Sequence, residues 1–279
     1  MKRILFFSLI LPTLLHAQVS PQEADVISFF ETAGARVSKD DEGHAVKLFS
    51  GGKPPHSVEQ LQQIEDLTRL EQIALNSPQA GNDEWGFLKK LPELDVLTIW
   101  HCKTIQSLKP FSDLAIESLT VGGCMGLRDL NKEAPEQQRD AVLTLHSLPN
   151  LKSVNLYHSP TVSTDAHLQH LAKEFPQLID VKIDVAAPRG FETEISPEGL
   201  AVFQKLPIEV LSIENAVTFA KEHIAALAGI ETLEAVLFDF RRRDFDATPL
   251  VEEMKRLRPE VEVVVAEEGA SGPPRRAQK

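Results

Sequence analysis

The chain is poor in residues and patterns on which common chemistries depend. It has two cysteines in 279 residues, Cys102 and Cys124, so any thiol chemistry rests on that pair. It has no G-x-S-x-G and no H-E-x-x-H stretch, and no serine, histidine and acid trio can be assembled from its order. Its one glycine cluster, "VGGCMG" at Val121 to Gly126, lacks both the G-x-G-x-x-G order and a P-loop lysine, which counts against a doubly wound dinucleotide-binding enzyme. No catalytic residue is assigned and no cofactor is expected.

Positive charge is also scarce. Lys and Arg total 29 against 41 Asp and Glu, for a net charge of -12. Such a surface repels phosphate backbones and anionic membranes, so nucleic acid is not an expected partner. The run Arg241 to Arg243 lies between Asp239 and Asp244, where local carboxylates offset it.

Long apolar runs are confined to the N-terminus. "MKRILFFSLILPTLLHA" places Lys2 and Arg3 before an apolar run from Ile4 to Leu15 and a small residue at Ala17. That is the plan of a signal peptide, with a run too short to span a membrane. Export to a periplasmic or extracellular compartment is expected, with a mature chain from Gln18 that has a net charge of -14 and no membrane span.

What the chain has in abundance is a recurring apolar spacing. "LTRLEQIAL" gives Leu67, Leu70, Ile73 and Leu75; "LPELDVLTI" gives Leu91, Leu94, Leu97 and Ile99; "LPNLKSVNL" gives Leu148, Leu151, Val154 and Leu156. Looser copies follow, and the third apolar position of each marks a register: Ile73, Leu97, Leu119, Val154, Val181, Leu211, Val236 and Val263. Steps of three suit an inward-facing turn, and the closing step of two suits a strand with alternate side chains in a core. Helix-like segments lie between the marks, with starts at Ser57, Asn82, Ser163, Ser196 and Thr218. A polar insertion at 131–140 lengthens one unit.

This L-x-x-L-x-L-x-x-(N/C) pattern resembles the leucine-rich repeat family over roughly residues 57–266, although the ladder position is Pro78, Cys102, Cys124, Ser159, Ala216 or Arg241 instead of asparagine. The resemblance implies an α/β solenoid, a curved right-handed superhelix with a parallel concave sheet and irregular repeats. Residues 18–56 are expected to form an N-terminal cap of one helix, starting at Ser20 and Pro21, and a hairpin turning at Asp41 to Gly43. Residues 267–279 read as a disordered tail.

At the ladder position, Cys102 and Cys124 are expected to be small buried side chains. A disulfide between adjacent coils is the alternative, because neighbouring strands lie roughly 4.8 Å apart. His167, His170 and Glu174 share one helical face as a metal-ligand spacing, but with Leu168, Leu171 and Phe175 as the buried stripe they read as solvated residues, and no metal is assigned. The residues flanking the inward strand positions would face the concave side. Among them Asn76, Thr98, Trp100, Thr120, Asn155, Tyr157, Lys182, Asp184, Glu214 and Asp239 are the candidate partner-binding set. Trp100 and Tyr157 would anchor a partner, Gly122 between them would leave room for its side chain, and Asp184, Glu214 and Asp239 would favour a basic segment.

The expected function is therefore a secreted, non-enzymatic scaffold that binds a protein or peptide. Two other classes stay open: a hydrolase or metal-dependent enzyme using histidines such as His101 and His158, and a purely structural envelope component.

Overall fold

The computed structural model describes residues 19–51, 56–127, 140–185, 195–239 and 245–266. The signal segment, most of the 131–140 insertion, Arg241 to Arg243 and the 267–279 tail lie outside the described residues.

Ten strands form one sheet in strict chain order. β1 (Arg36–Lys39) and β2 (Ala45–Ser50) make an antiparallel hairpin. From β2 onward every neighbour is parallel: β3 (Gln72–Asn76), β4 (Val96–Trp100), β5 (Ser118–Gly122), β6 (Ser153–Tyr157), β7 (Asp180–Asp184), β8 (Val210–Glu214), β9 (Ala235–Asp239) and β10 (Glu262–Val265).

All eight register marks fall on a single line across the sheet, and Leu48 of β2 begins it. Seven of the marks, from Ile73 to Val236, are at most 1 % exposed. A slip of one residue would turn each strand's inward side chains toward water, so the apolar pattern fixes the register. The backbone repeats as strictly. The carbonyl oxygens of Glu71, Asp95, Glu117, Lys152, Ile179 and Glu209 each accept two N–H groups from the next coil. After the strands, Ser77, His101, Gly123, His158 and Asn215 turn the chain out through the left-handed region, with φ between 54° and 64°.

The hairpin and the helix Pro21–Thr32 sit at the front, as expected. Ser20 Oγ caps the helix by accepting from Glu23 N at 3.0 Å, with Pro21 in the first turn. The Glu23 carboxylate is buried between helix and hairpin, where it accepts from Ala45 N at 3.1 Å and lies 2.8 Å from His44 Nδ1.

The back of the sheet is less uniform than the sequence suggests. Ser57 and Ser196 cap helices as predicted, and Ser57 forms a full capping box with Gln60. Thr164, one residue past Ser163, caps Asp165–Glu174. The helix expected from Asn82 is instead a 3-10 helix, Gly86–Lys90, and Asn82 Oδ1 accepts from Gln106 N in the next coil. The helix expected from Thr218 begins only at Lys221, where His223 Nδ1 accepts from Ala220 N at 3.0 Å.

Candidate binding face

Inward strand residues fill the core, so the alternate ones form the sheet's open face, opposite the helices. The predicted row is real in two lengths. Asn76, Trp100, Gly122 and Tyr157 are successive register partners, as are Asp184, Glu214 and Asp239. Between the lengths β6 and β7 pair only at Ser153 with Asp180 and Val154 with Val181. Farther along, Asp184 N donates to Val162 O at 2.9 Å, so the end of β7 is held by the chain that leaves β6.

The front length carries a connected run of aromatic groups. The Phe49 and Trp100 rings meet edge to face with centroids 5.9 Å apart. The Tyr157 ring lies against Gly122, so close that a Cβ there would come within 2.3 Å of it. Gly122 therefore does not leave room for a partner's side chain, since the chain's own tyrosine fills that space. Burial pushes the Tyr157 phenol up, and the indole N–H of Trp100 works against that shift. Trp100 Nε1 is nevertheless sealed from solvent without a well-formed hydrogen bond among the described residues, as is Asn155 Oδ1. Cations close both ends of the run: the Arg36 guanidinium sits 4.4 Å above Phe49 and Lys182 Nζ 5.0 Å above Tyr157.

Arg36 and Phe49 were absent from the predicted set because their strands were read as a cap alone. The signal was present, since Leu48 precedes Ile73 by an ordinary repeat length and Phe49 then shares a row with Ala74, Thr98, Thr120 and Asn155.

The rear length does not present a row of open carboxylates. Asp184 and Asp239 are 5 % and 8 % exposed, and Asp184 accepts from Asn215 Nδ2 at 2.9 Å. Glu214 pairs with Lys182 at 2.7 Å, both largely buried. Burial raises the pKa of Asp180, whose carboxylate accepts from Ser153 Oγ at 3.1 Å.

The two cysteines follow the simpler expectation. Both are fully buried free thiols; Cys102 Sγ lies 3.4 Å from Ala80 O and Cys124 Sγ 3.6 Å from Gly122 O. The alternative disulfide is not formed. Burial pushes the Cys124 thiol up to about 12, which leaves it protonated and a poor nucleophile.

The reading of His167 as solvated needs correction. It is 4 % exposed, its Nδ1 accepts from Ser163 N at 3.0 Å, and its Nε2 donates to the Asp140 carboxylate. With both ring nitrogens engaged it has no lone pair for a metal. His170 is half-buried, not solvated, and donates from Nε2 to Leu145 O at 2.8 Å. Burial lowers its pKa, against a smaller opposing effect of that carbonyl. Of the histidines considered for catalysis, His101 Nδ1 bonds Asn76 Oδ1 at 2.8 Å and His158 packs edge to face on Tyr157.

Parallel five-residue strands in chain order, one inward apolar line and a recurring exit turn decide the architecture. The fold is a leucine-rich repeat solenoid. No family model matches the chain, and no curated protein matches it either. Among solved structures, it is similar to the leucine-rich repeat-containing protein LegL7 from Legionella pneumophila, at 15% identity and a TM-score of 0.45, over 80% of this chain and 74% of that one. The assignment rests on the register within this chain and not on that likeness. Among the described residues no helix is long and apolar enough to cross a membrane.

Proposed function

We propose that this chain is an exported, non-enzymatic leucine-rich repeat scaffold that binds a protein or peptide across the open, concave side of its sheet. The observation that carries the reading is the run Arg36, Phe49, Trp100, Tyr157 and Lys182. Its three aromatic rings are only half-buried, on a face whose backbone is fixed by the parallel ladder. Large amphipathic rings held rigid in the free protein contribute contact area with little ordering cost on binding.

A complementary partner presents an apolar or aromatic side chain flanked by carboxylates, which the cations at the two ends of the run would receive. This shifts the binding centre from the acidic rear, where the carboxylates are already engaged, to the front. Export is supported by the N-terminal segment that ends at Ala17.

The test is a pull-down from the envelope and secreted fractions with the mature chain from Gln18, beside a Trp100→Ala/Tyr157→Ala variant shown by circular dichroism to be folded. A partner held by the wild type and lost by the variant supports the reading. Equal capture by both moves the site off this face.

A further inference from the structure

On the opposite side of the coils from the open face, the structure brings together three metal-ligating side chains that the sequence keeps apart. His170 and Glu174 stand one turn apart on the helix Asp165–Glu174, which puts them on one face. His146 arrives from the preceding coil, just after the 3-10 helix Val142–Thr144. One ligand atom from each of the three lies within 4.8 Å of the others.

A single carbonyl organises the two imidazoles. Leu145 O accepts the Nε2 proton of His170, and Leu145 immediately precedes His146 in the chain. The rings stand edge to face with centroids 5.0 Å apart. A carbonyl can only accept, so His170 keeps its proton on Nε2 and leaves the Nδ1 lone pair available. A second ring nitrogen bonded to a backbone carbonyl is the usual way in which a metal-bound histidine is oriented. His146 Nδ1 is 3.2 Å from Glu174 Oε2, close to the roughly 3.3 Å between ligand atoms that tetrahedral zinc needs with bonds of about 2.0 to 2.1 Å. The His146 side chain is the most exposed of the three, at 48%, and is free to rotate toward an ion.

The fourth direction is open. Beside Glu174 lies an open groove of about 410 Å³, lined also by Asp113, Ser147, Leu148, Pro149 and Gln177. Two imidazoles, one carboxylate and an open position form a ligand set that suits zinc with a bound water. We infer that His146, His170 and Glu174 form a zinc site on the flank of the solenoid, with its open position toward that groove. The expected trio of His167, His170 and Glu174 had the right helix, but the third ligand comes from the neighbouring coil.

The probe is zinc chloride alone, titrated calorimetrically into the mature chain after chelator treatment. One zinc per chain at micromolar affinity is expected, and cobalt(II) in its place should give the intense visible bands of tetrahedral coordination. His146→Ala removes an exposed ligand without opening a cavity and should weaken zinc by about tenfold or more. His101→Asn, in another coil, should leave it unchanged. Stoichiometric zinc that is lost in His146→Ala and in Glu174→Gln, both with wild-type circular dichroism, supports the site. No saturable zinc, or equal affinity in all four proteins, overturns it and leaves His146 and Glu174 as an ion pair.

Discussion

Between β3 and β6 the chain crosses the back of the sheet through 3-10 helices of three to five residues, while between β6 and β10 each crossing contains an α-helix of five to ten. The open faces differ as well. In front it is half-exposed and aromatic; behind, Lys182, Asp184 and Asp239 are each less than a tenth exposed. The boundary between the two is the short pairing of β6 with β7. A continuous inward line therefore does not make a uniform molecule. The same register supports a front half that keeps aromatic surface for solvent and a rear half that engages its polar groups internally.

The comparison can be broken most forcefully from the core. Phe111, in front, and Phe203, behind, are both fully buried, and truncation of either to alanine should cost about 3 to 5 kcal/mol. In a repeat array each coil contacts only its neighbours, so loss of a core ring on one side of a weak junction need not unfold the other. Phe111→Ala should expose the amides of β3 to β6 to hydrogen exchange before those of β8 and β9, and Phe203→Ala should reverse the order. A single cooperative loss of protection in both variants would show that the β6–β7 junction is as strong as the others.

A smaller effect is expected at the junction itself. Lys182→Met removes the partner of a largely buried Glu214 and the cation above Tyr157, and should cost about 3 kcal/mol. Lys182→Met combined with Glu214→Gln should recover most of that loss, as measured by urea unfolding. If the double variant is no better than the single, the ion pair is not what closes the splayed end of the seam.

Smallest are two pH effects of opposite sign. Burial lowers the pKa of His56 in front, so the unfolded chain takes up a proton that the folded chain resists, and stability should fall as pH drops through the unfolded value of 6.5. His56→Gln should flatten that acid slope. Asp180, at the junction, has its pKa raised by burial above 3.8, so its contribution is present below that value and lost as pH rises through the folded one. Asp180→Asn should therefore raise the melting temperature at pH 7 and give no gain in strong acid. Thermal melts of both variants at several pH values would sharpen the contrast between front coil and seam.

The register was legible from sequence because it is set by large inward side chains at a fixed spacing, and Ile73 to Val263 carry it without help from the intervening chain. The connections were less legible, since a capping residue such as Asn82 serves a neighbouring coil's N–H as readily as a helix of its own. The binding row was read correctly as a list of positions but not as a surface. Whether Gly122 is a space or a seat depends on the Tyr157 rotamer, and whether Asp184 is free depends on Asn215 one coil later. His146 joined Glu174 only once two coils were stacked, a contact that no helical spacing encodes.

The left-handed exit residues Ser77, His101, Gly123, His158 and Asn215 add a point about ancestry. Left-handed backbone excludes most branched side chains and favours a short vocabulary of glycine, asparagine and their like. Each of these coils therefore carries its own punctuation at the end of its strand, independent of its length on the far side. A gene segment that encodes one such coil can be duplicated, lost or lengthened at the back while the reading frame of the sheet stays intact, so the uneven spacing of this chain is the expected record of that history.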